Sequence, residues 1–106
     1  MQNAFASEER LARIARVVLG PVLDLPAEER DTLLGTLEGS LDALGSANET
    51  GRRLYVHPNT VRHRLRRIEQ HTGRSLDDPR AVAELAVALQ TVRLFPDLLG
   101  QQPPPG

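Results

Sequence analysis

"GRRLYVHPNTVRHRL", residues 51–65, changes character at its middle. Just upstream, "SANE" (46–49) places Ser at an N-cap and Glu three residues on, a capping box that predicts a short helix over about 47–54. Pro58 has no amide hydrogen and its ring clashes with a preceding helical turn. It therefore ends that helix and suits the start of another, predicted over about 58–71 with a stop near Gly73. At roughly 100° per residue, Val61, Leu65 and Ile68 share one face of this second helix. Asn59, Arg62, His63 and Arg66 lie nearly opposite, with Arg64 and Arg67 on the flanks. A small residue in the first helix allows the second to cross closely, and Gly51 supplies it. Leu54, Val56, Val61 and Leu65 have the offsets that lock the pair together. Short helix, tight turn, helix with an outward polar row: this is the pattern of a helix-turn-helix.

Outward from that pair, the other elements also read as helices. Leu11, Ile14, Ala15 and Val18 recur at helical spacing opposite Glu8, Glu9, Arg10, Arg13 and Arg16, a first helix that Gly20-Pro21 should break. "DLPAEERD" (24–31) restarts a helix, with Glu28 and Glu29 complementing its positive end. Leu33, Leu34, Leu37, Leu41 and Leu44 form its apolar stripe, and Gly45 ends it. Gly35 and Gly39 inside it weaken the helix by about 1 kcal/mol each relative to Ala, so close approach of another helix is their expected use. Asp-Pro at 78–79 starts a last helix carrying Val82, Leu85, Ala86, Leu89 and Val92. The predicted fold is all-α, a bundle of about five helices containing a helix-turn-helix. Residues 1–18 form an N-terminal helix or linker, 19–99 the domain proper, and 100–106 ("QQPPPG" and its flank) a disordered tail.

Composition agrees. The chain has 106 residues, enough for one core, and its aromatics are limited to Phe5, Tyr55 and Phe95, so aliphatic side chains must build that core. With no cysteine there is no disulfide framework, and with no basic start leading to an apolar run there is no membrane span to predict. A cytoplasmic location is expected. The formal net charge of −1 conceals a division: between Arg52 and Arg74 seven arginines meet one acid, Glu69, a local +6, while six arginines and thirteen acids elsewhere leave −7. Local charge decides which polyanion a face can bind.

The outward row has the chemistry of nucleic-acid recognition. Arg can fork onto guanine N7 and O6, and Asn onto adenine N6 and N7. Arginines on the first helix and on the flanks of the second suit phosphates. The run from Thr50 to Leu89, with its core "LYVHPNTVRHRL" (54–65) followed by Ile68-Glu69 and Thr72-Gly73, resembles the C-terminal DNA-binding domain of PucR-type transcriptional regulators, the group of purine catabolism and carbohydrate diacid regulators. "LLGTLEGSLDAL" (33–44) is similar to the helix preceding the motif in that family, and the resemblance covers about 19–94. It implies a bacterial regulator's output domain that binds double-stranded DNA, with Asn59, Thr60, Arg62 and His63 as base contacts. Arg52, Arg53, Arg64, Arg66 and Arg67 are the expected phosphate contacts. About five such arginines imply a slope of log K on log salt near −4 to −5, at roughly 0.9 per phosphate. One recognition helix spans few base pairs, so a homodimer on two half-sites is expected. An upstream sensory domain is an expected partner, since such regulators carry one and this length leaves no room for it. Gly51 departs from the Ala more frequent in the family.

Other readings stand beside this one. The arginine face is either a nucleic-acid surface or a docking face for an acidic protein partner; RNA is disfavoured by the shortage of aromatics for stacking. Asn59 and Thr60 could instead satisfy first-turn amides. Tyr55 and His57 are expected to pack together in the turn, with phosphate contact the alternative for Tyr55, and capping of the second helix or phosphate contact the alternatives for His57. His57, His63 and His71 are six and eight apart, the wrong spacing for a metal site on a helix face. Asp77 and Asp78 read as a helix start, and with no nucleophile motif or phosphate-cradling glycine loop the chain is not expected to be an enzyme or to hold a cofactor.

Overall fold

The computed structural model describes residues 4–97, and the tail expected at 100–106 lies outside them. Five helices account for the described chain: α1 (Ala4–Leu23), α2 (Ala27–Asp42), α3 (Ala47–Leu54), α4 (Pro58–Thr72) and α5 (Pro79–Leu94). Among the described residues no strand occurs, so the all-α expectation holds. α1 lies along α5 over the largest shared surface and also touches α4 and α2, while α3 packs on α4 and α2. Leu19 and Val22 of α1, Leu33 and Leu37 of α2, Ile68 of α4 and Leu85 of α5 meet in one core.

Two expectations about α1 fail. Gly20-Pro21 does not break the helix, which continues to Leu23. Pro21 is exposed and lies in the last turn, so only one backbone bond is lost. The buried face also differs from the one expected. Ala12, Ala15, Val18, Leu19 and Val22 are buried, whereas Leu11 and Ile14, expected in the core, are exposed, Ile14 by 57%. The small Ala12 and Ala15 are the residues buried along the more N-terminal part of this stripe.

In α2, Leu33, Leu34 and Leu37 are buried as the stripe requires and Leu41 is partly so. Leu44 is not: it is 96% exposed, because α2 ends at Asp42 and the chain reverses through Leu44 and Gly45, both at positive φ. The two α2 glycines also divide. A Cβ on Gly39 would lie 3.3 Å from Thr50 Cγ2 and 3.4 Å from Leu54 Cδ1, so this glycine sets the approach of α3, as expected. A Cβ on Gly35 would meet nothing within 4 Å, so no neighbouring helix accounts for it. Asp78 caps α5 through a bond from the Arg80 amide, as the Asp-Pro signal indicated.

Candidate nucleic-acid interface

The turn between α3 and α4 is built by backbone contact. The Val56 amide donates to the Gly51 carbonyl at 2.9 Å, and a Cβ on Gly51 would come within 2.5 Å of the Val56 carbonyl oxygen. Gly51 is therefore required by the returning turn itself, a closer constraint than the helix crossing expected for it. To make this turn, Tyr55 adopts the left-handed conformation (φ 60°, ψ 39°), which costs an L-residue about 1–2 kcal/mol. Its ring does not pack with His57, contrary to expectation; it is 94% exposed.

His57 instead caps α4: its Nδ1 accepts from the Asn59 amide at 3.0 Å, and its carbonyl accepts from Thr60 and Val61. That assignment relieves Asn59 of the capping role left open for it. Its Oδ1 accepts from Arg62 Nη1 at 2.8 Å, so the two side chains form one donor-rich unit at the first turn of the helix. Val61 and Ile68, fully buried, seat α4, and Leu65 is half-buried against the core. Asn59, Arg62, His63 and Arg66 all face solvent on the other side. Gly73, at φ 67°, ends the helix, and Glu69 Oε2 accepts from the Leu76 amide at 2.7 Å, fastening the following loop.

The cations are not equally available. Ser46 accepts from the Glu49 amide, which is half of the predicted capping box. The Glu49 carboxylate does not close the other half: it holds Arg52 through two bonds (3.0 and 2.8 Å) and Arg53 through one (2.9 Å). The Arg52 hydrogen bonds first, then that of Arg53, hold the Glu49 carboxyl below its ordinary value, and the same contact raises Arg52. Arg67 pairs with Glu29 of α2, 38 residues away in sequence. Beside that pair runs an open groove whose walls are Pro26, Glu28, Glu29 and Thr32 of α2 and its flank, and Thr60, His63, Arg64 and Arg67 of α4. Arg64 is partly covered there, and of the four expected base contacts Asn59 and Arg62 stand clear of the groove, His63 lines it but is exposed, and Thr60 is half-buried against it.

Sequence reasoning missed the pairing of both acids with arginines. Glu49 was legible, since it precedes Arg52 and Arg53 by three and four residues, the helical spacing of ion pairs. Glu29 was not, because only the packing of α2 on α4 brings it to Arg67. Among the described residues no three His, Asp or Glu side chains gather as a metal site, and no helix is long and apolar enough to cross a membrane.

Comparison with known proteins bears on the same elements. The family model of the PucR C-terminal helix-turn-helix domain matches residues 33–91. An uncharacterised protein of Mycobacterium tuberculosis is 47% identical over 62 residues, 58% of this chain and 15% of that protein. The purine catabolism regulatory protein of Bacillus subtilis is 43% identical over 68 residues, 64% of this chain and 13% of its own length. A third relative, encoded in the pkwA 5′ region of Thermomonospora curvata, is 39% identical over 83 residues, 78% of this chain and 44% of that one. The chain thus spans a minor part of each of these relatives. No solved structure matches.

Proposed function

Because the chain belongs to the family of PucR C-terminal helix-turn-helix domains, we propose that it is the DNA-binding output module of a bacterial transcriptional regulator, and that α4 enters the major groove of double-stranded DNA. One observation carries this reading: α4 is held to the bundle by Val61 and Ile68 while Asn59, Arg62, His63 and Arg66 stand in solvent on its far side. In this reading Asn59, Thr60, Arg62 and His63 meet bases, with the Asn59–Arg62 bond aiming the guanidinium fork. Arg52, Arg53, Arg64, Arg66 and Arg67 meet phosphates. The binding unit is taken as 19–99, with α1 bringing Ala12 and Ala15 into the shared core from the segment before it. It works as a homodimer on two half-sites, downstream of a sensory region, in the cytoplasm, with neither cofactor nor catalytic role.

The test is selection from a randomised duplex pool at moderate salt, beside the Asn59→Ala, Arg62→Ala double variant. The reading expects enrichment of a palindromic site that the double variant loses. Failure of a well-folded chain to enrich any sequence would count against it. A second reading is favoured by one contact: Arg67 already pairs with the Glu29 carboxylate, so this face can dock an acidic protein segment. Salt weakens both kinds of complex, but only in the first do short duplexes compete.

A further inference from the structure

Tyr55 occupies the least comfortable backbone position of the turn, and its side chain gains nothing from the fold in return. Among the described residues positive φ occurs at Gly45 and Gly73, where no Cβ is present, and at Leu44 and Tyr55. Side chains there are retained against a local preference for glycine, and strain of this kind motivates a search for function. The Tyr55 ring is 94% exposed and the hydroxyl has no partner within the chain among the described hydrogen bonds. The backbone of Tyr55 caps α3, its amide donating to the Gly51 carbonyl, but the side chain takes no part in that and is not buried in the fold.

The position of the ring suggests what it meets. Tyr55 follows Arg52 and Arg53, which lie in the last turn of α3, and precedes His57 and Pro58, where α4 begins. When the N-terminal residues of a recognition helix reach base edges, the preceding turn lies at the groove's rim, along the phosphates. A phenol is a neutral donor on a rigid, partly apolar body, and Tyr is among the side chains that hydrogen-bond phosphate oxygens. The geometry points to Tyr55 as a DNA-backbone contact, its hydroxyl donating to a phosphate at the rim of the groove that α4 enters. The inference rests on the DNA-binding reading above, and it adds to that reading a contact that carries no charge.

Neutrality makes it testable. Affinity of the 106-residue chain for a duplex of random sequence is measured by fluorescence anisotropy over a range of salt, with a thermal melt of each protein. Tyr55→Phe keeps the ring and removes the donor, Tyr55→Gly removes both and relieves the left-handed strain, and Leu44→Gly relieves the same strain at a side chain with no hydrogen-bonding group. Tyr55→Phe and Tyr55→Gly should weaken binding by about 10- to 100-fold without lowering Tm, the loss expected of one hydrogen bond to a charged acceptor. Their salt slopes should match the parent, because only cations release counterions. Leu44→Gly should bind as the parent does. Parent-like binding by Tyr55→Phe overturns the hydroxyl contact, and a lowered Tm in either Tyr55 variant assigns the ring a structural role instead. If the parent chain itself binds no duplex, the DNA-binding reading fails and this inference with it, an outcome distinct from equal binding by parent and variant.

Discussion

Asn59 and Arg62 lie one helical turn apart and share a hydrogen bond of 2.8 Å, so neither side chain acts alone. A bidentate contact of either type discriminates its base by about 1–3 kcal/mol. Removing Asn59 also frees the Arg62 guanidinium to turn, so the two losses overlap: Asn59→Ala with Arg62→Ala should cost clearly less than the sum of the single substitutions. A double-mutant cycle on the selected site checks this, and strict additivity would show that the bond does not persist on DNA. Arg53→Ala should weaken all duplexes about equally, since a phosphate contact carries no sequence information. Glu49 gives a pH signature. Its carboxyl is depressed by Arg52 and Arg53, so the stability it contributes is fully present above its ordinary value of 4.5 and is lost as pH falls through the lower folded value. Glu49→Gln should therefore flatten the acid limb of Tm against pH below about 4.5; an unchanged limb would place the acid sensitivity on other carboxylates.

At the scale of the element, the α3–α4 turn depends on the absence of one side chain. With an ideal Cβ on Gly51 only 2.5 Å from the Val56 carbonyl oxygen, backbone and not a flexible side chain must move. Gly51→Val should lower stability by about 2–3 kcal/mol, in the range of overpacked sites. Gly51→Ala should cost less, because about 1 kcal/mol of gained helix propensity opposes the clash. Thermal or urea melts rank the two, and a Gly51→Val variant as stable as the parent would mean the turn yields easily. Which parts of this element were legible beforehand follows from range. Pro58, Ser46, Gly51 and the Val61–Leu65–Ile68 face act within a turn or two of themselves, and the helix boundaries drawn from them fall within one residue of those observed. The register of α1 was not legible in the same way. Leu11 and Ile14 are better core residues by hydropathy than Ala12 and Ala15, and only the packing of α1 along α5 decides that the alanine face is the buried one. The same holds for Tyr55 and Leu44: both are apolar enough to suggest packing, and left-handed turns aim both outward.

For the whole molecule the governing quantity is the charge that DNA meets, and the fold alters it. Five arginines assigned to phosphates suggest a salt slope near −4 to −5 at about 0.9 per contact. In the folded chain Arg67 is paired with Glu29, and Arg52 and Arg53 share the single carboxylate of Glu49. Those three arginines then carry one net charge, which with Arg64 and Arg66 makes three. If both internal pairs survive binding, log K should fall with log salt at a slope of about −3. Ion pairs that stay partly open to solvent contribute only modestly to stability, so Glu29→Gln and Glu49→Gln should leave the fold intact at neutral pH. Each should steepen the slope by roughly 0.9 and tighten binding at low salt, as a phosphate replaces the lost carboxylate. Glu29 comes from a helix outside the helix-turn-helix pair, so its effect would show that α2 sets the electrostatics of α4 as well as its position. Anisotropy titrations of the parent and both variants over the same salt range measure this directly. A parent slope already near about −4.5, moved by neither substitution, would mean that both carboxylates release their arginines to phosphate when the complex forms.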